Sequence, residues 1–290
     1  MQGALRRGLV LPNWEAGEDP AQLVEAAVVA EAAGWDGVFL ADHLIFPPPA
    51  TIGGSDQAAP AQPMPDPWVV LAAVASRTRT IRLGTWITPV PRRQPWQLAR
   101  DLATLDQLSH GRVILGAGLG RRPDHERFGL PWDLPALGRR CDEALEILDR
   151  LWSGEPVTHH GEHYRLDDVT LLPRPCQRPR IPVVVGGLWP NRAFLRRGAR
   201  WDGIVPHYPG DGVLPGDGTA PEQHVTDLLT AYRGLTDDPG EVLLLDAPPG
   251  SGPGYVEVCQ ELGVTWLLTA KHEGSWSLDL EVIRGGPPRA

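Results

Sequence analysis

The feature that most constrains this chain is a repeated alternation. Short apolar runs of strand length are followed, eight times over, by segments with helical spacing. The runs are Gly8 to Leu11, "GVFLA" ending near Ala41, "IRLGTWIT" (81 to 88), "RVILGAG" (112 to 118), "IPVVVGG" (181 to 187), "DGIVP" (202 to 206), "EVLLLDA" and "VTWLLTA". The last five are nearly continuous Val/Ile/Leu, the composition of strands covered on both faces. Between them, the pattern predicts helices. Asp19-Pro20 and Asp66-Pro67 pair an N-cap with a proline at the first helical position. Leu137, Cys141, Ala144, Leu145, Leu148, Leu151 and Trp152 trace one apolar stripe. Eight strand–helix units within 290 residues fit a closed (β/α)8 TIM barrel better than an open doubly wound sheet. The expected organisation is one α/β domain over residues 1–290.

Bulk properties exclude several classes of function. The net charge is −9, with no long basic run, so nucleic acid is not an expected partner. No apolar stretch approaches the roughly 18 residues needed to span a bilayer. The stretch MQGALRRGLVLPNW has only a very short apolar run before Pro12, so no signal peptide is expected and the expected location is the cytoplasm. Cys141, Cys176 and Cys259 are far apart and form no CxxC pair, which argues against a disulfide framework or a thiolate zinc site. "HHGEH" (159 to 163) has metal-like spacing, but Gly161 and its flanks favour a hairpin outside the barrel. No metal is expected.

A barrel places its active site at the C-terminal ends of the strands. Polar and glycine-rich residues gather there: Asn13 and Trp14, Asp42-His43, Thr85 to Thr88, Gly116 to Arg122, Gly186-Gly187, His207 and Lys271-His272. His43 is a candidate acid/base, with Asp42 beside it as either a partner or a cap. "GAGLGRR" is not a dinucleotide fingerprint, because Arg121 stands where a third glycine is needed and Pro123 with a polar loop follows. Read as a strand end, its glycines let a flat ring approach the backbone. "VVVGG" before a helix start offers N–H groups to a phosphate. Trp14, Trp86, Trp132 and Trp189 suggest an apolar pocket wall.

Several of these stretches resemble the luciferase-like flavin monooxygenase superfamily. They are "GVFLADHL", "IRLGTWITPVPRRQPWQLARDLATLDQLSHGRVILGAGLG", "ALEILDRLWSGEPVTHHGEHYRL" and "IPVVVGGLWPNRAFLRRGARWDGIV". The resemblance spans about residues 8 to 206. It implies a barrel that binds FMN, or a deazaflavin analogue, at the strand ends. It places His43 at the reactive face, with Asp42 adjacent and a catalytic candidate. Gly84 to Thr88, including Thr85 and Trp86, would lie under the ring, where many relatives carry a non-prolyl cis peptide. Gly116 and Gly118 would meet the ring edge, and Gly186-Gly187 the phosphate. Trp14 and Trp189 would face substrate, and the loop 44 to 66 would border it. Deazaflavin-dependent sugar-phosphate dehydrogenases carry a glutamate after "GxGxG". Here Arg121 stands there, which suggests a contact to cofactor phosphate or to an anionic substrate. The expected activity is oxidation of a small organic substrate by reduced flavin and oxygen. The alternatives are hydride transfer with a deazaflavin, and flavin binding without turnover. A flavin reductase supplying reduced cofactor is an expected partner, and a homodimer is implied by the resemblance alone.

Overall fold

The computed structural model describes residues 5–14, 19–45, 63–208, 219–246, 251–270 and 279–288. Lys271, His272 and most of the expected 44–66 loop lie outside these segments. Eight parallel strands close into a barrel: β1 (Arg6–Leu11), β2 (Gly37–Leu40), β3 (Arg82–Thr85), β5 (Val113–Gly118), β8 (Val183–Leu188), β9 (Gly203–His207), β10 (Glu241–Leu245) and β11 (Trp266–Thr269). Closure is made by β1, which pairs with β2 on one side and with β11 on the other. β4 (Thr88–Pro89) extends the β3 position alongside β5. Helices alternate with the strands: α1 (Pro20–Ala32), α2 (Pro67–Arg77), α3 (Pro95–Ser109), α4 (Pro123–Glu126), α5 (Leu134–Trp152), α6 (Ala193–Gly198), α7 (Pro221–Arg233), α8 (Tyr255–Glu261) and α9 (Leu280–Arg284). The expected single TIM-barrel domain is what forms.

The helix starts follow the residues that announced them. Asp19 accepts from the Ala21 N–H, and Asp66 accepts from both Trp68 and Val69 N–H. In both cases proline follows, where a missing N–H leaves no donor unsatisfied. α5 begins at Leu134, three residues before the first residue of its apolar stripe, because Asp133 caps it at Ala136 N–H. Its stripe, together with the outer faces of β1, β2, β3 and β5, builds the main core between barrel and helices.

The barrel interior is filled by side chains from alternate positions: Val10, Phe39, Ile114, Val184, Val205, Leu243, Trp266 and Leu268. Phe39 and Trp266 meet edge to face with ring centroids 5.7 Å apart. Two such rings fit only because their neighbours lack side chains. A Cβ on Gly37 would lie 2.9 Å from Trp266, and one on Gly84 would lie 2.7 Å from Phe39.

Two local features differ from the sequence expectation. The run 81–88 is not one strand. The Trp86–Ile87 peptide is cis, as the resemblance implied, and it divides β3 from β4. A 3-10 turn at Val90–Arg92 follows directly. The expected polar loop after Pro123 is instead the helical turn α4. The hairpin β6 (Val157–His160) and β7 (Arg165–Val169) lies outside the barrel, as expected. Glu143 of α5 pins it, accepting from His163 N–H and Tyr164 N–H at 2.9 Å each and bonding His159 Nε2 at 2.9 Å. Among the described residues, no group of three or more His, Cys, Asp or Glu is placed to hold a metal, and no helix is long and apolar enough to cross a membrane.

Asp106 of α3 carries a comparable load. It is fully buried and accepts from Cys176 N–H (2.6 Å), Gln177 N–H (3.0 Å) and Gln177 Nε2 (2.8 Å), fixing the chain that leads into β8. Asp106→Ala leaves those donors unpaired, at about 1–3 kcal/mol each where water is excluded. The expected loss is about 3 kcal/mol in urea unfolding, read as a lower midpoint with an unchanged m-value.

Candidate active site at the barrel mouth

The C-terminal end of β2 supplies the first polar pair. Ala41, the next residue, is clamped by Asn13 from β1. Asn13 Nδ2 donates to Ala41 O at 2.9 Å, and its Oδ1 accepts from Ala41 N–H at 3.1 Å. With that backbone fixed, Asp42 and His43 leave the strand in opposite directions.

Asp42 is 1% exposed and faces two arginines. Arg93 grips both its oxygens, with Nη2 at 3.0 and 2.9 Å and Nε at 3.2 Å. Arg92 Nη2 bonds the Oδ1 atom and also reaches Asp42 O. Both arginines sit at the end of the 3-10 turn after β4. Asp42, an expected catalytic residue, therefore ties the β2 and β4 ends together, and the Arg93 hold continues to Asp66, the N-cap of α2, at 3.3 Å.

His43 points to α4. Its Nδ1 lies 2.6 Å from Asp124 Oδ2, and Asp124 Oδ1 accepts from Leu44 N–H (3.0 Å) and Ile45 N–H (3.1 Å). Arg92 Nη1 stands 3.8 Å from Asp124 Oδ2. Burial alone would raise the Asp124 carboxyl. The His43 hydrogen bond and charge, the Ile45 N–H and the Arg92 charge outweigh it and hold the group below the usual carboxylate range. The neighbouring His125 is also buried. Its Nε2 bonds Leu119 O at 2.9 Å, and its ring meets Trp132 at 5.2 Å. Burial pushes its imidazole below the ordinary value against the pull of the Leu119 carbonyl.

β9 brings His207 to the same rim. Trp86 lies over it with centroids 4.8 Å apart and planes tilted by 33°. The His207 Nε2 is shut off from solvent and has no hydrogen-bond partner among the described residues. Burial, and secondarily the charge of His43, pushes His207 down to about 4. It is therefore neutral near pH 7, beside an imidazole held by a carboxylate.

The other candidates are placed as follows. Thr85 is buried and donates to Gly116 O at 3.2 Å. Gly116, Gly118 and Gly186 surround Ile87. A Cβ on Gly118 would lie 2.1 Å from Ile87 Cδ1, and one on Gly186 would lie 2.2 Å from it. A Cβ on Gly116 would strike Thr85 O at 2.0 Å. The space these glycines leave, read from the sequence as room for a flat ring, is taken here by the cis-linked Ile87 and by Thr85 O. A Cβ on Gly187 would lie 2.4 Å from Phe194 Cβ of α6, so that glycine admits a helix. Trp14 is buried in the barrel interior, whereas Trp189 packs in the outer core with Phe194 and Tyr208. Arg121 lies in the turn before α4, where its carbonyl accepts from Asp124 N–H at 3.1 Å. The structure thus gathers His43, Trp86 and His207 at one mouth. It adds Asp124, Arg92 and Arg93, which the sequence reading missed. The available signals were Arg92-Arg93 directly after a strand end and Pro123 opening a helical turn on an acid.

These residues fit a planar heteroaromatic ring in part. Trp86 and Ile87 offer apolar surface, the orphaned His207 Nε2 offers a polar contact, and Asp124 holds the His43 ring through Nδ1. The phosphate end is less well matched, since Phe194 already occupies the space that Gly187 leaves.

The family model described as luciferase-like monooxygenase matches residues 6–234. An F420-dependent glucose-6-phosphate dehydrogenase of Nakamurella multipartita is 34% identical over 226 residues, covering 77% of this chain and 60% of that protein. The Kineococcus radiotolerans enzyme of the same name is 37% identical over 216 residues, covering 74% and 58%. The chain thus spans about three fifths of the length of these relatives. Among solved structures, the monooxygenase RslO1 from Streptomyces bottropensis superposes with a TM-score of 0.64 at 28% identity, covering 89% of this chain and 75% of that one. An F420-dependent secondary alcohol dehydrogenase superposes with a TM-score of 0.71 at 18% identity, covering 98% and 97%, a likeness of fold.

The His207 assignment predicts a pH effect. Between the ordinary histidine value of 6.5 and about 4, the unfolded chain takes up a proton that the folded chain refuses. Stability from this group is therefore complete above pH 6.5 and is lost as pH falls towards 4. His207→Asn is expected to show a shallower fall in melting temperature than the wild type between pH 7 and pH 4.5. Parallel curves would place His207 in a solvated setting.

Proposed function

The chain belongs to the luciferase-like monooxygenase family, and from that premise we propose that it is a deazaflavin-dependent oxidoreductase that transfers hydride at the barrel mouth. The observation that carries this reading is the His43–Asp124 pair beside the Trp86–His207 stack. The 34–37% identical relatives named as F420-dependent dehydrogenases favour a deazaflavin over FMN. This reverses the order of the two cofactors expected from the sequence.

A bound deazaflavin would supply a two-electron hydride acceptor. The substrate class that matches is a small molecule with a C–H bond on a hydroxyl-bearing carbon. As that bond breaks with its electron pair, the hydroxyl proton passes to His43 and a carbonyl forms. Trp86 and Ile87 exclude water from the reacting centre, and neutral His207 avoids a second positive charge there. Asp42 does not touch substrate in this scheme; it holds Arg92 and Arg93. Arg121 occupies the position at which the sugar-phosphate dehydrogenases of the resemblance carry an acidic residue, so the preferred substrate is expected to differ from theirs.

A second reading keeps FMN, oxygen and a supplying reductase. It is favoured by the 28% identity to the monooxygenase RslO1.

Titration of the protein with F420 and with FMN, followed by ring fluorescence, separates the two. At least tenfold tighter binding of F420 is expected, and the reverse preference would overturn the proposal. A general acid/base contributes about 10²–10⁴ in rate. His43→Ala is expected to lower turnover by that factor while cofactor affinity changes less than threefold.

A further inference from the structure

We infer that Asp124 is a positioning residue that fixes the proton of neutral His43 on Nδ1, so that Nε2 is the atom exchanging a proton at the mouth. This rests on the reading of His43 as the proton-carrying group, and it goes further by assigning the atom and the residue that chooses it.

The geometry leaves Asp124 little freedom. Its side chain is 1% exposed. Oδ1 is committed to two backbone donors, Leu44 N–H and Ile45 N–H, at 3.0 and 3.1 Å. Those donors belong to the two residues following His43, so the carboxylate and the imidazole are registered by the same short stretch of backbone. Oδ2 is left to accept from His43 Nδ1 at 2.6 Å, a short contact of the kind an ionised acceptor favours. Arg92 Nη1, at 3.8 Å, is buried and has no hydrogen-bond partner among the described residues, and its charge adds to the His43 and Ile45 hydrogen bonds that hold Asp124 below the usual carboxylate range. An anionic carboxylate only accepts, so Nδ1 must donate. The other ring nitrogen of the neutral imidazole then carries the lone pair. In the proposed oxidation, Nε2 takes the substrate hydroxyl proton as the C–H bond breaks to hydride; in the reverse direction it returns that proton.

Asp124→Asn tests the assignment with almost no change of shape. An asparagine has one oxygen and one NH2 group. The oxygen must face Leu44 and Ile45 N–H, because turning the NH2 group there would set donors against two backbone donors. The NH2 group then faces His43 Nδ1, which must accept, and the imidazole proton moves to Nε2. The more distant Arg92 opposes this orientation with one contact at 3.8 Å, against two hydrogen bonds that favour it.

The readout is the histidine ring ¹⁵N spectrum of the protein without added cofactor, with His43→Gln used to assign the resonances. Expected is an Nδ1–H tautomer for neutral His43 in the wild type and an Nε2–H tautomer in Asp124→Asn. A wild-type Nε2–H tautomer overturns the inference, and this measurement needs no variant at position 124 to fold. An unchanged tautomer in a folded Asp124→Asn overturns it as well. Turnover reads the functional proposal separately. A flipped tautomer with turnover lowered by about 10²-fold or more, at a KM within threefold, supports both. A flipped tautomer with unchanged turnover keeps Asp124 as the residue that sets His43 and removes His43 from the chemistry.

Discussion

Eight parallel strands closed on themselves leave too little room for a full side chain at every inward position, and this chain meets the shortage by setting glycines against bulk. At mid-barrel the bulk is Phe39 and Trp266, with Gly37 and Gly84 making way. At the mouth it is Ile87, with Gly118 and Gly186 making way. Glycine lowers strand stability because it has no side chain to pack and loses more backbone entropy on ordering. Here the lost packing is returned by a neighbour's side chain, so the glycines are part of the core's shape. Below Ile87 the barrel is filled by Val10, Phe39, Ile114, Val184 and their neighbours.

The interruption of the third strand connects this packing to the polar site. With Ile87 turned into the barrel, pairing resumes only for Thr88 and Pro89 before the 3-10 turn. That turn delivers Arg92 and Arg93 to Asp42, and Asp42 is held in place because Asn13 clamps the backbone of Ala41. The strand ends of β1, β2 and β4 are thereby cross-linked around one buried carboxylate. α4, folded back from β5, adds a second carboxylate, Asp124, on the far side of Arg92. His43 therefore sits on a support drawn from four strand ends, none of which is adjacent to all the others in sequence.

The fold was legible in the sequence because its determinants are local. Continuous apolar runs and Asp-Pro helix starts report period and boundaries within a few residues, and 81–88 is the one run that the packing divides. The location of the site was legible too, since barrel closure sends every strand end to one rim. The contacts within it were not. Whether Asp42 is a catalyst or a clamp depends on Arg92 and Arg93, 50 and 51 residues away, and on a short 3-10 turn that leaves no period in the sequence. Asp124 stood in a segment that reads as a polar loop, because a four-residue helix is too short to show a period. Gly187 was read as open backbone for a phosphate, whereas its missing Cβ makes room for Phe194, a long-range fact with no local trace.

The distribution of charge distinguishes the two acids at the mouth. Asp42 faces two guanidinium groups, both permanently charged, and every oxygen it has is committed to them. Its environment is the same at any pH at which the protein is folded. Asp124 faces one imidazole at 2.6 Å and one more distant guanidinium at 3.8 Å. Arg92 and Arg93 together face Asp42, Asp66 and Asp124, so a proton gained by His43 is the charge that balances this set. His207, which burial keeps neutral, adds none. A site arranged in this way tolerates one transient positive charge, at His43, and resists a second. The proposed role of His43 as proton carrier asks this of its surroundings, with Asp42 tied to the arginines of the β4 end and Asp124 to the imidazole.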